Sequence, residues 1–170
     1  IVARYQQIFG IKRLIERIST KNTKGGREGG VIWHTTGSGK SFTMVFLSKA
    51  LILHEDLKQC RILVVTDRVD LEDQLSKTFV SGGELTGKRD KQNAMATSGK
   101  RLAEQIGKGT ERIMFSLIQK FNSATKLPEC VNTSSDFIVL IDEGHRSQGG
   151  ENHVRMKLAL PNAAFVAFTG

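Results

Sequence analysis

The residues with chemical potential begin with Gly37, Gly39, Lys40 and Ser41 in VIWHTTGSGKS, residues 31–41. In a glycine-rich turn that feeds a helix, the backbone N–H groups from Thr36 to Phe42 form a concave anion site at the helix's positive end. Gly37 and Gly39, on either side of Ser38, permit backbone conformations that a Cβ obstructs. Lys40 reaches the β- and γ-phosphates of a bound nucleotide, and Ser41 offers a hydroxyl to Mg²⁺. His34 stands where the strict pattern has glycine. That position is the strand's exit, away from the phosphates, and His34 is read as structural. The plain alternative for the whole stretch is a Gly/Ser turn that happens to precede a helix.

A second group closes an apolar run. DFIVLIDEGHRSQ, residues 136–148, ends its strand in Asp142 and Glu143. A carboxylate at a strand end beside a phosphate loop holds Mg²⁺, and its neighbour orients and deprotonates an attacking water. Acidic residues commonly end strands, so the pair is informative only together with the phosphate loop.

These groups need elements to position them. RYQQIFGIKRLIERI, residues 4–18, places Ile8, Ile11, Leu14, Ile15 and Ile18 on one helical stripe with basic residues opposite. STKNTKGGREGG follows with a loop composition. Five strand-length apolar runs then appear: GVIWH, RILVVT, RIMFS, DFIVLID and AAFVAFT. Helical stretches over 40–54, 69–79, 117–121 and 150–159 lie between them. Strands that are apolar without alternation belong to a mainly parallel sheet covered by helices on both faces, the three-layer α/β class. Right-handed crossovers put every strand's C-terminal end on one edge, and each chemical motif sits at such an end. Residues 81–110, polar and glycine-rich, read as a surface excursion with a short helix around 99–107.

Composition narrows the partners. The 170 residues fit a single domain, 1–170, and the termini read as those of a piece of a longer chain. Two cysteines, Cys60 and Cys130, are too few for a secreted disulfide framework and lack metal-ligand spacing, which points to a reducing, cytoplasmic setting. No apolar run approaches the roughly 20 residues that span a bilayer. Lys and Arg number 25 against 17 Asp and Glu, a net charge of +8 that favours an anionic partner larger than a nucleotide. A solvated basic surface is the bland alternative. His54 and His153 have no partner motif and receive no function.

Asp142-Glu143-Gly144-His145 resembles the DEAH-type box of superfamily 2 helicases and translocases. With WHTTGSGKS it resembles more narrowly the motor subunit of type I restriction-modification enzymes. Other blocks follow the family's order across the chain. RYQQ resembles its adenine-recognising motif, VVTDRVDLEDQL motif Ia, FSLIQKF motif Ib and FVAFTG the start of motif III. Gly144 departs from the usual alanine, and motif III breaks off at Thr169-Gly170.

The resemblance implies a RecA-like lobe with the motif III strand between the phosphate-loop strand and the Asp142 strand. It implies that Gln7, with Arg4 and Tyr5, meets the adenine, unless these are only an exposed helix start. It places Thr169 near the γ-phosphate and His145, to relay nucleotide state; an ordinary strand-ending threonine is the alternative. Asp67, Arg68, Gln74, Gln119 and Lys120 fall where family members touch the DNA backbone, contacts that fix register without reading sequence. For Arg68 an ion pair with Asp70 or Glu72 is the bland alternative. The same resemblance implies ATP and Mg²⁺ as cofactors, duplex DNA as track and a bacterial or archaeal cytoplasm. It also implies modification and specificity subunits, a second lobe of the same chain and nuclease residues upstream. Two other readings stay open: another superfamily 2 motor, such as a DEAH-type RNA or DNA helicase, and a nucleotide-regulated binding module without turnover. Aromatics are 6% of the chain and nine of them are Phe, which leans towards backbone tracking over base stacking.

Overall fold

The computed structural model describes residues 5–33, 40–66, 98–142 and 149–169, together with Val69, Asp73, Gln74, Ser76 and Lys77. Five strands form one sheet in the order β1-β5-β4-β2-β3, where β1 is Gly30–Trp33, β2 Arg61–Thr66, β3 Ile113–Leu117, β4 Phe137–Asp142 and β5 Ala164–Thr169. Every neighbouring pair is parallel. The C-terminal ends Trp33, Thr66, Leu117, Asp142 and Thr169 therefore share one edge, here the upper edge. β5 lies between β1 and β4, as the resemblance implies.

Among the described residues these helices pack on the two faces: α1 Tyr5–Ser19, α2 Lys40–Leu53, α3 Gly99–Lys108, α4 Ile118–Ala124 and α5 Gly149–Ala159. The pleat sorts the strand residues between two cores. Ile62, Val64, Ile138, Leu140, Ala164, Val166 and Phe168 join Ile11, Leu14 and Ile18 of α1 and Met44, Leu47 and Leu51 of α2. Leu63, Val65, Met114, Phe137, Val139 and Ile141 face Leu102 and Ile106 of α3, Phe121 of α4 and Met156 of α5. Because both faces are covered, the central strands are apolar throughout rather than alternating. Of the α1 stripe, Ile11, Leu14 and Ile18 are buried and Ile15 is partly so.

The 81–110 stretch departs from expectation in its second half. Residues 99–108 form a core helix, with Leu102, Ala103 and Ile106 fully buried. Ser98 caps it by accepting from the Arg101 N–H at 3.1 Å. Gly107 lets it press on the chain after α4, since a Cβ there would lie 2.5 Å from the Glu129 carbonyl oxygen. A polar, glycine-rich composition reads as a surface loop, yet these glycines serve close packing. Residues 81–97 lie outside the described residues, as do several positions of the expected 69–79 helix; Val69, Asp73, Gln74, Ser76 and Lys77 are helical.

The lower edge, where the strands begin, is held by one buried and one half-buried arginine. Arg27, in the loop after α1, is 5% exposed. Its guanidinium donates to the carbonyls of Ile18 (3.0 Å), Ser19 (3.2 Å) and Ser135 (2.7 Å) and to the Asp136 carboxylate at 2.9 Å. Arg61, at the start of β2, donates to the carbonyls of Glu111 and Gln105 at 2.9 and 2.7 Å and lies over the Phe137 ring. The loop that carries Arg27 turns through Gly25, whose φ of 81° suits glycine. Asn22 ties that turn, its Oδ1 accepting from the Lys24 and Gly26 N–H groups.

Candidate nucleotide-binding site

Three strand ends and one helix start define the upper edge near β4. Lys40, Ser41 and Phe42 open α2, which follows β1 on the α1–α2 face of the sheet. The first turn of α2 carries no acidic residue, so nothing there opposes an anion at its positive end. Asp142, the last residue of β4, is 6% exposed. It pairs with Phe168 in the ladder, and Thr169 at the next step pairs with Trp33 of β1. The parity of the pleat puts Asp142 on the side of Ile138 and Leu140, the face that α2 covers. Lys40, Ser41, Asp142 and Thr169 thus converge on one edge. Arg4, Thr36, Gly37, Ser38, Gly39, Glu143 and His145 lie outside the described residues, as does His34; Tyr5 and Gln7 lie in the first turn of α1.

The Asp142 carboxylate at this edge suits a hard divalent cation, since Mg²⁺ is commonly held by one or two protein oxygen ligands plus the substrate's phosphates. Among the described residues no cluster of three His, Cys, Asp or Glu side chains forms a separate metal cage.

The group expected at DNA falls on the far side of the same edge. β2 and β3 are neighbours with Thr66 opposite Leu117, so the two strand ends lie side by side. Gln119 and Lys120 lie in the first turn of α4; Gln119 is exposed and Lys120 half-buried, and Gln74 is exposed. Asp67 and Arg68 lie outside the described residues. The strand ends that lead to the residues expected at nucleotide and to those expected at DNA are therefore neighbours on one edge, with β4 and β2 at the boundary.

Sequence reasoning passed over Thr66. Its Oγ1–H donates to Asp142 Oδ2 at 3.4 Å, and Thr66 is 2% exposed. The available signal was phase: Thr66 follows Ile62 and Val64 by the same two-residue steps by which Asp142 follows Ile138 and Leu140. That signal becomes usable only once β2 and β4 are known to be neighbours. His54, given no role, caps a single helical turn by accepting from the Asp56 N–H at 3.3 Å. Both cysteines are buried and free, and among the described residues no helix is long and apolar enough to cross a membrane.

Known proteins resemble this chain in fold and in sequence. The crystal structure of the Pyrococcus furiosus Hef helicase domain superposes with a TM-score of 0.59 at 16% identity, covering 99% of this chain and 34% of that one. That likeness establishes the fold. The type I restriction enzyme HindI endonuclease subunit of Haemophilus influenzae is 37% identical over 99% of this chain. The putative MjaIXP endonuclease subunit of Methanocaldococcus jannaschii is 31% identical over the same share. The chain spans only 17% and 16% of the length of these two relatives. The profile of the SWI2/SNF2 ATPases matches residues 6–170. With a RecA-like parallel sheet and a strand-ending aspartate at its upper edge, the chain belongs to the SWI2/SNF2 ATPase family.

Proposed function

We propose that residues 1–170 are the first RecA-like lobe of an ATP-driven motor that translocates duplex DNA within the endonuclease subunit of a type I restriction enzyme. The observation that carries this reading is the convergence of the α2 start and Asp142 on one face and edge of the sheet, with the ends of β2 and β3 beside them. The similarity to restriction endonuclease subunits over nearly the whole chain supports it.

In this reading the loop from Thr36 to Phe42 cradles the phosphates and Lys40 offsets their charge. Arg4, Tyr5 and Gln7 meet the adenine. Ser41 and Asp142 would hold Mg²⁺, which when bound neutralises phosphate charge. Glu143 orients and deprotonates the water, while His145 and Thr169 relay nucleotide state. Asp67, Arg68, Gln74, Gln119 and Lys120 track the DNA backbone. A second lobe of the same chain supplies the arginine that steadies the transition state, a contribution on the order of 10³–10⁵ in rate. The lobe by itself therefore binds nucleotide weakly and turns over little. The nuclease residues, and the modification and specificity subunits that choose the site, lie elsewhere in a complex of the bacterial or archaeal cytoplasm.

The test is ATP hydrolysis by the full-length protein with linear duplex DNA, single-stranded DNA and RNA offered in turn, and Lys40→Ala as the blank. Stimulation by duplex DNA that requires the specificity subunit is expected. Stimulation by RNA or single strands alone assigns the lobe to a helicase instead, and robust turnover by the isolated lobe overturns the dependence on a second one.

A further inference from the structure

We propose that Thr66 is a positioning residue for Asp142: its hydroxyl fixes the orientation in which that carboxylate meets a divalent cation. This rests on the ATP-motor reading above. The observation is the meeting of two strand ends. β2 and β4 pair in parallel with Val65 opposite Ile141, so one further step sets Thr66 beside Asp142. Ile62 and Val64 on β2, and Ile138 and Leu140 on β4, all belong to the α1–α2 core. The two-residue pleat carries Thr66 and Asp142 to that same face. There both are buried, and Thr66 Oγ1 donates to Asp142 Oδ2 at 3.4 Å.

The chemistry of the donor matters as much as its place. A hydroxyl rotates to suit the carboxylate and carries no charge, so it orients Asp142 without cancelling the negative charge that attracts a cation. A lysine or arginine at this position would bring the opposite charge to the carboxylate. Groups that hydrogen-bond a metal ligand from behind set its angle of approach, and removing one typically costs about 10–100-fold in metal affinity. Thr66 has a second consequence because β2 runs on into Asp67 and Arg68. The hydroxyl ties the strand leading to the DNA-side residues to the carboxylate on the nucleotide side.

The experiment uses the full-length protein and a fluorescent ADP analogue, whose binding is titrated with Mg²⁺ in the absence of turnover. Thr66→Val keeps the branched shape and removes the donor, while Thr66→Ser keeps the donor and trims a methyl. Thr66→Val is expected to raise the Mg²⁺ concentration for half-saturation about tenfold, and Thr66→Ser to stay within about twofold of wild type. Metal-free binding of the analogue is expected to be equal in all three. Should Thr66→Val not fold, Thr66→Cys, with its weaker S–H donor, carries the same comparison. A valine variant that titrates like wild type overturns the proposal, and so do valine and serine variants impaired alike, which would make shape rather than donation the cause. A wild type that binds the analogue no better than Lys40→Ala overturns the ATP-motor reading itself, a result distinct from the failure of Thr66 alone.

Discussion

The two edges of the sheet hold charged side chains in different ways. At the lower edge Arg27 and Arg61 are surrounded by fixed partners. Arg27 has three carbonyls and the Asp136 carboxylate, and Arg61 has two carbonyls and Glu111 at 3.5 Å. Each guanidinium fork spends its directional donors closing the fold. At the upper edge the buried Asp142 carboxylate accepts from the neutral hydroxyl of Thr66. The contrast teaches where rigidity is built and where chemistry is expected. The guanidinium forks tie segments of the fold to one another, whereas the Thr66 hydroxyl orients the carboxylate that is proposed to meet a ligand.

The largest expected effect separates roles within the upper edge. Glu143→Gln in the full-length protein is expected to lower ATP turnover by about 10²–10⁴-fold while nucleotide binding persists, since a positioned general base contributes about that much. Lys40→Ala is expected to abolish binding itself. Hydrolysis assays paired with equilibrium binding of a fluorescent analogue read both quantities. Equal loss of binding in the two variants would mean that the roles are assigned wrongly.

At the lower edge the expected loss is in stability. Arg27→Ala strips the Asp136 carboxylate of its cation and leaves the carbonyls of Ile18, Ser19 and Ser135 short of donors. Breaking a buried pair by removing one partner costs about 3–5 kcal/mol. Asp136 retains some solvent contact, its side chain being 31% exposed, which places the expectation at the lower end of that range. Thermal unfolding, followed through the transition that nucleotide shifts, measures it. An unchanged midpoint would erase the contrast between the edges.

A smaller effect tests packing around the second core. Gly107→Ala forces a methyl against the Glu129 carbonyl oxygen and is expected to cost about 1–3 kcal/mol. Gly10→Ala is the counterpart: it sits within α1 with nothing within 4 Å of the added carbon, and is expected to stabilise by up to about 1 kcal/mol. Opposite shifts in melting temperature are the expected result. Shifts of the same sign would mean that backbone propensity, not the close approach of α3 to the chain after α4, governs Gly107.

Much of the fold was legible because the signals were local. Continuous apolar strands such as RILVVT and FIVLI announced a sheet covered on both faces, and the helix spacing of Ile11, Leu14 and Ile18 announced the inward face of α1. That the strands' C-terminal ends, Asp142 among them, share one edge followed from parallel crossovers. What was not legible depended on contacts between segments distant in the chain. Arg27 sits in a glycine-rich loop, and nothing local distinguishes it from its solvated neighbours; its importance comes from Asp136, 109 residues away. Thr66 ends a strand as many threonines do, and acquires meaning only when β4 is its neighbour. The burial of α3 was missed for the same reason, since the short helix expected around 99–107 reads as part of a surface excursion until Glu129 is placed against Gly107.

The smallest expected effect concerns the two thiols, which lie one in each core. Burial pushes the Cys130 thiol up to about 11, and the Glu129 carboxylate acts in the same direction. Burial also raises Cys60, with Arg27 nearby opposing it. A folded value above the unfolded one means that the native state keeps its proton where the unfolded chain has released it. The contribution to stability is therefore fully present below the ordinary thiol range and is lost as the pH rises through about 11. Comparing wild type with Cys130→Ala isolates the contribution of this group. The wild type is expected to lose stability more steeply than the variant between about pH 9 and 11. Native-state alkylation reports the same burial: both thiols are expected to react slowly with iodoacetamide at pH 8 and at the rate of free cysteine in denaturant. Fast labelling of Cys130 in the folded protein would mean that the packing of Phe121, Phe137 and Leu160 in the second core opens readily. The sheet's α3–α5 face would then be the soft one, and the contrast in rigidity would run between faces rather than between edges.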